Sequence, residues 1–154
     1  MPGSVEIGTF FGELLGRTVE ATEPKKLHDL KAEDTVWYTG VFIEDDERVS
    51  GAFITDLNLA CRAGASLAMI PKPVAEEAIK AGELTEGLRE NVSEVANIGS
   101  ALLNGEVFPH LRMRDYVDGI PDEVQDLIVK ASGRKDLDVS IEEYGTGLLV
   151  LLAR

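Results

Sequence analysis

The sequence predicts an α/β domain in which an antiparallel or mixed sheet is covered by two long helices. Three observations carry this prediction. Two long segments have apolar residues at helical spacing on one side, and several short β-rich runs are bounded by turn residues. Helix, hairpin and helix in the first part are also echoed by long helix, strands and short helix in the second. The echo rests on order, not on repeated residues, and suggests an internal duplication with two related halves sharing one sheet. A chain of 154 residues buries roughly two-thirds of its unfolded surface around one core. With no linker or low-complexity stretch, residues 1–154 read as one domain.

Ile7, Phe10, Phe11, Leu14 and Leu15 recur at helical spacing and Gly16 follows as a C-terminal stop. A short strand is expected from Thr18 to Ala21, then a polar connection to Asp34. The runs from Val36 to Ile43 and from Val49 to Ile54, joined by Glu44-Asp45-Asp46-Glu47, predict an antiparallel hairpin. The four acids read as a solvated turn in preference to a cation site, and Trp37 as core. Thr55 or Asp56 caps a helix from Leu57 to Met69, which Pro71 and Pro73 end. A short helical run, Val74 to Lys80, leads to the longest periodic segment, Thr85 to Leu103, closed by Asn104-Gly105. Leu111 to Val117 is a strand candidate, and Pro121 opens a short helix through Leu127, Ile128 and Val129. Two further strands, Leu137 to Ile141 and Leu148 to Leu152, flank a turn at Tyr144-Gly145, with Gly145-Thr146-Gly147 read as a loop. The apolar Leu148 to Leu152 run is expected to be buried within the sheet, although at an edge it could pair with another chain.

A net charge of −13 repels phosphate backbones and anionic lipid surfaces, which argues against nucleic-acid and membrane partners. No apolar run approaches the ~20 residues that a spanning helix needs, and the opening residues lack a secretory pattern, so the cytoplasm is the expected compartment. Cys61, in a small-residue helical run, reads as a buried structural thiol. His28 and His110 lack a partner at metal-ligand spacing, and no metal site is expected on this chain.

Successive helical residues are about 100° apart, so directions along Thr85 to Leu103 follow from their numbers. Leu88, Val92, Val95, Ala96, Gly99, Leu102 and Leu103 share a core face. Glu90, Glu94, Asn97 and Ala101 fall on the opposite side, towards solvent. Asn is a poor mid-helix residue by about half a kcal/mol against Ala, and Ala101 keeps the surface beside it low. A protruding carboxylate and carboxamide one turn apart suit insertion into a partner's cleft.

The segment from Glu90 to Leu102 resembles the signature helix of the CheC/CheX/FliY family, phosphatases of the phosphorylated response regulator CheY. The family pattern is Asp or Ser, three residues, Glu, two residues, Asn, then about twenty-two residues and Pro. Glu94 and Asn97 match the pair, and Pro121 follows one residue later than the pattern has it. Glu90 stands where the pattern has Asp or Ser. CheC-like members carry the pair twice, whereas the first helix here has Glu6-Ile7-Gly8-Thr9; a single pair resembles CheX.

The resemblance implies a CheC-like fold and an aspartyl-phosphate phosphatase of two-component signalling. It assigns catalytic roles to Glu94 and Asn97, with Glu90 and Ala101 at the docking surface. The implied partner is a phosphorylated CheY-like receiver domain, whose own Mg²⁺ and Lys activate the phosphoryl group, and a homodimer is expected. Asn97 would orient the attacking water and Glu94 would pair with the receiver's lysine. The competing expectation is a non-catalytic module that docks on a receiver or other signalling protein.

Overall fold

A computed structural model describes residues 1–104 and 110–154. Helix α1 (Ser4–Leu15) ends on Gly16, whose left-handed backbone (φ 65°) lets its N–H reach the Gly12 carbonyl. Strand β1 (Val19–Thr22) follows, then the segment 23–36 and the hairpin β2 (Trp37–Ile43) and β3 (Val49–Asp56). Three helices come next, α2 (Leu57–Leu67), α3 (Lys72–Ala81) and α4 (Glu86–Gly99), the last tightening into a 3-10 turn over Ser100–Leu102. The chain closes with β4 (Arg112–Asp118), α5 (Asp122–Lys130), β5 (Gly133–Ile141) and β6 (Gly145–Ala153).

The six strands form one sheet in the order β1-β5-β6-β3-β2-β4, with every described pairing antiparallel. The two hairpins meet at β3 and β6, and each half's first strand crosses to pair beside the other half's hairpin. Order alone suggested two related halves, and this topology has that form. Leu148 to Leu152 lies in β6, between β5 and β3, so it is no edge; β1 and β4 are the edges.

Both faces of the sheet are covered. Tyr38, Phe42, Phe53, Leu149 and Leu151 point into the larger core under α1, α2 and α4, with α3 on the outer side of α2. The intervening Trp37, Val41, Ala52, Ile54, Val150 and Leu152 pack against Val124 and Leu127 of α5. The expected cover of two long helices is therefore incomplete, because the short helix from Pro121 closes a second face. Burial on both sides also explains why β2 and β6 read as continuous apolar runs.

The ends of several elements differ from the sequence reading. The helix expected to reach Met69 stops at Leu67, with Met69 itself left-handed (φ 54°) before Pro71. Gly145-Thr146-Gly147 opens β6 and is not a loop; Gly145 takes φ 114°, and a Cβ on Gly147 would lie 2.4 Å from Leu59. The expected stop at Asn104-Gly105 falls partly outside the described residues; Asn104 exchanges hydrogen bonds with the Leu111 backbone (2.7 and 3.2 Å).

Candidate functional site

Helix α4 is held on three sides. Leu88, Val92, Val95, Ala96 and Gly99 are buried, and small residues let the helix sit close to its neighbours. A Cβ on Gly64 of α2 would lie 2.5 Å from the Leu88 carbonyl oxygen, so the two helices cross at backbone contact. Asn91 reinforces the crossing by donating to the Gly64 carbonyl at 3.0 Å. Beneath the helix, a Cβ on Gly40 would meet Ala96 at 3.1 Å, and one on Gly99 would meet the Phe53 ring at 2.9 Å. On the β4 side, Arg89 pairs with Asp118 and lies 5.6 Å from the centre of the Tyr38 ring, which stacks on Tyr116 at 6.4 Å. Burial, followed by the Asp118 charge, pushes the Tyr38 hydroxyl above its ordinary pKa; burial does the same to Tyr116.

With three sides locked, the fourth faces water. Glu90, Glu94, Asn97 and Ala101 are all exposed, as the helical wheel requires. They form one stripe, at spacings of four, three and four residues. Among the described residues, no hydrogen bond or ion pair engages the side chains of Glu94 or Asn97. The Ser100 hydroxyl donates to the Asn97 carbonyl at 2.9 Å, tying down the last turn. Ile98, 38% exposed, adds an apolar shoulder beside Asn97. The wheel errs at Leu102, expected in the core but only half-buried. The 3-10 turn advances about 120° per residue and rotates Leu102 off the core line. Pro121 is not part of the stripe: it opens α5, on the opposite face of the sheet.

The other candidates resolve into structural roles. Cys61 is fully buried, and desolvation pushes its thiol up to about 11. Glu44 accepts from Ser50 and from Arg48 (3.0 Å), and the Ser50 bond is the main cause holding its carboxyl below the usual range; the acidic turn is a braced hairpin connection. Trp37 is core, and His110 is exposed. His28, which has no partner at metal-ligand spacing in the sequence, is tied to β5. Its backbone N–H donates to Asp136 at 2.8 Å, and its Nε2 lies 3.0 Å from the Leu137 carbonyl. Those partners are more than a hundred residues away, so no local sequence signal could have revealed them. Among the described residues, no three His, Cys, Asp or Glu side chains come together as a metal site would require. No described helix is long and apolar enough to cross a membrane.

No family model and no curated protein matches the chain. Among solved structures, the FliM middle domain from H. pylori aligns with a TM-score of 0.55, covering 97% of this chain and 84% of that one at 11% identity. CheX in the CheX-CheY-BeF3-Mg+2 complex from Borrelia burgdorferi aligns with a TM-score of 0.46, over 94% and 90% of the two chains, at 15% identity. FliY from Thermotoga maritima gives 0.40, over 95% and 81%, at 11% identity. At this identity the FliM likeness is one of fold, and the chain has that CheC-like arrangement of helices on an antiparallel sheet.

Proposed function

We propose that this chain is a phosphatase of a phosphorylated receiver domain, hydrolysing its aspartyl phosphate with Glu94 and Asn97 of α4. One observation carries the reading: a carboxylate and a carboxamide stand exposed, one turn apart and without partners among the described residues, on a helix whose remaining sides are locked to the fold. Such a face can enter a cleft without first breaking bonds of its own, and a rigid helix carries little ordering cost into the complex.

In the reaction the receiver's Mg²⁺ and lysine polarise the phosphoryl group. Asn97 accepts a hydrogen bond from water and aligns it opposite the acyl oxygen. Water oxygen bonds to phosphorus, the bond from phosphorus to the carboxylate oxygen breaks, and the water's protons pass to phosphate and solvent. Glu94 pairs with the receiver's lysine and fixes the approach. No step calls for a metal held by this chain. The competing reading, a docking module without hydrolysis, is favoured by Glu90, whose longer side chain stands on the same stripe where the family pattern has Asp or Ser.

Decay of a phosphorylated receiver, followed with and without the protein, tests both readings. Acceleration is expected for the wild type. Asn97→Ala should abolish it while raising stability by a few tenths of a kcal/mol, since Ala is the better helix former at an exposed position. Glu94→Ala should mainly weaken binding. No acceleration across the receivers of its own cell would refute the catalytic reading, and binding without acceleration would establish the docking module.

A further inference from the structure

On the face of the sheet away from α4, the segment 28–31 and α5 border a cleft of about 520 Å³. We propose that it binds a small, flat aromatic molecule carrying one anionic group. The volume falls within the ~300–1,000 Å³ of small-molecule sites, which favour junctions between structural units. Here the segment linking β1 to β2 in one half meets the segment linking β4 to β5 in the other. Leu30, Ile120 and Ile128 supply apolar walls.

Two polar groups stand inside the cleft. The His28 side chain is only 9% exposed, and its Nε2 lies 3.0 Å from the Leu137 carbonyl oxygen. A carbonyl only accepts, so Nε2 carries a proton and donates to it, with the Asp138 carboxylate 3.5 Å from the same nitrogen. Beside it, the Arg134 Nε and Nη2 are engaged by Asp136 (2.8 and 2.9 Å), and Nη2 also donates to the His28 carbonyl at 2.9 Å. Nη1 is left over. Neither Nδ1 nor Nη1 has a partner among the described residues, and neither is among the sealed buried atoms that lack one. His28 and the Arg134 guanidinium therefore line a cleft that also has apolar walls, and the guanidinium calls for an anionic oxygen on the ligand.

The rim is consistent with an anion. Lys31 is exposed there and forms no ion pair among the described residues. The Asp29 carboxylate turns back to accept the Lys31 backbone N–H at 2.9 Å, and Asp126 stands exposed on α5. Counting Lys31, Arg134, Asp29 and Asp126, the lining is neutral on a chain of net charge −13, so an anion meets less repulsion here than over most of the surface.

The probe is 8-anilinonaphthalene-1-sulfonate, which joins an aromatic body and one sulfonate. Saturable one-to-one fluorescence enhancement is expected with the native protein, its fold checked by an unchanged melting transition. Affinity should fall at least tenfold in Lys31→Glu, an exposed position whose change cannot unfold the core, and in Ile128→Trp, which fills the cleft. N-phenyl-1-naphthylamine, with the same rings and N–H but no sulfonate, should also bind at least tenfold more weakly. The proposal is overturned by the absence of saturable binding, by equal affinity in wild type and both variants, or by equal affinity for the two probes. None of these readouts depends on phosphatase activity.

Discussion

Gly64→Ala tests the crossing that positions the site. The added Cβ would lie 2.5 Å from the Leu88 carbonyl oxygen, whereas ordinary contact begins at 3.4 Å, so α2 and α4 must part by about 0.9 Å or strain. Overpacking of this kind costs about 1–3 kcal/mol. The Asn91 bond to the Gly64 carbonyl, worth about 1 kcal/mol, is stretched as the helices separate. Against this, Ala in place of Gly favours a helix by about 1 kcal/mol. The steric side wins by about 2 kcal/mol, a fall in Tm of about 4–8 °C for a chain of this size. Moving Glu94 and Asn97 by most of an ångström should cost on the order of 100-fold in receiver dephosphorylation if they act as proposed. Gly87→Ala is the control: also helical, exposed and with nothing within 4 Å of the new Cβ, it should gain up to about 1 kcal/mol. Thermal and urea unfolding read the stability, and phosphoryl decay reads the site. A Gly64→Ala protein as stable as Gly87→Ala would refute the argument that α4 is placed by backbone contact.

Two further perturbations address buried groups. Asp56 caps α2, its Oδ1 accepting from Leu59 N–H at 2.8 Å and Leu148 N–H at 3.0 Å, and desolvation raises its pKa. A carboxyl whose folded pKa exceeds its unfolded value contributes stability fully present below the unfolded pKa and lost as pH rises through the folded one. Asp56→Asn, which keeps the acceptor, should therefore gain stability relative to wild type between about pH 4 and pH 7, while Asp56→Ala loses about 1–3 kcal/mol by stranding two buried N–H groups. Urea unfolding at the two pH values is decisive, and a gap between Asn and Asp proteins that narrows towards pH 7 would contradict the sign. Cys61, fully buried with its thiol pushed up to about 11, should react with Ellman's reagent at pH 8 only as fast as the protein opens; rapid labelling of the native state would show the thiol to be accessible.

The stripe on α4 was legible because a helix converts residue number into direction, so Glu90, Glu94, Asn97 and Ala101 could be placed outward before any tertiary contact was known. The same rule failed at Leu102, where the backbone leaves α-geometry after Gly99. Less legible was anything decided by the second layer. The apolar run Leu148 to Leu152 announces burial but not on which sides, and only α5, lying across Ile54 and Val150, shows that both faces are closed. The tight seat of α4 was equally hidden. Gly40, Gly64 and Gly99 are scattered in sequence, and each matters only for what approaches it. His28 shows the limit most clearly, since its partners Asp136 and Leu137 are contributed by a strand at the far end of the chain.

The two halves of the fold offer an internal control on the meaning of Asn97. Trp37 and Gly133 open the outer strands of the two hairpins, and Val49 and Gly145 open the inner ones, at the same interval in both cases. When α1 is laid on α4 with Glu6 on Glu94, the burial pattern also coincides. Ile7 and Val95 are buried, as are Gly8 and Ala96, Phe11 and Gly99, and Leu15 and Leu103, while Glu6, Glu94, Thr9 and Asn97 are exposed. Packing thus makes the same demand at Thr9 as at Asn97, namely that the side chain be tolerated in water, and this demand does not select a carboxamide. Both residues are poor helix formers by similar amounts, so local stability does not select it either. Neither packing nor local stability therefore accounts for the carboxamide at Asn97, and the Asn97→Ala and Thr9→Ala proteins should fold with closely similar stability while, if the proposed function holds, only the first loses receiver dephosphorylation.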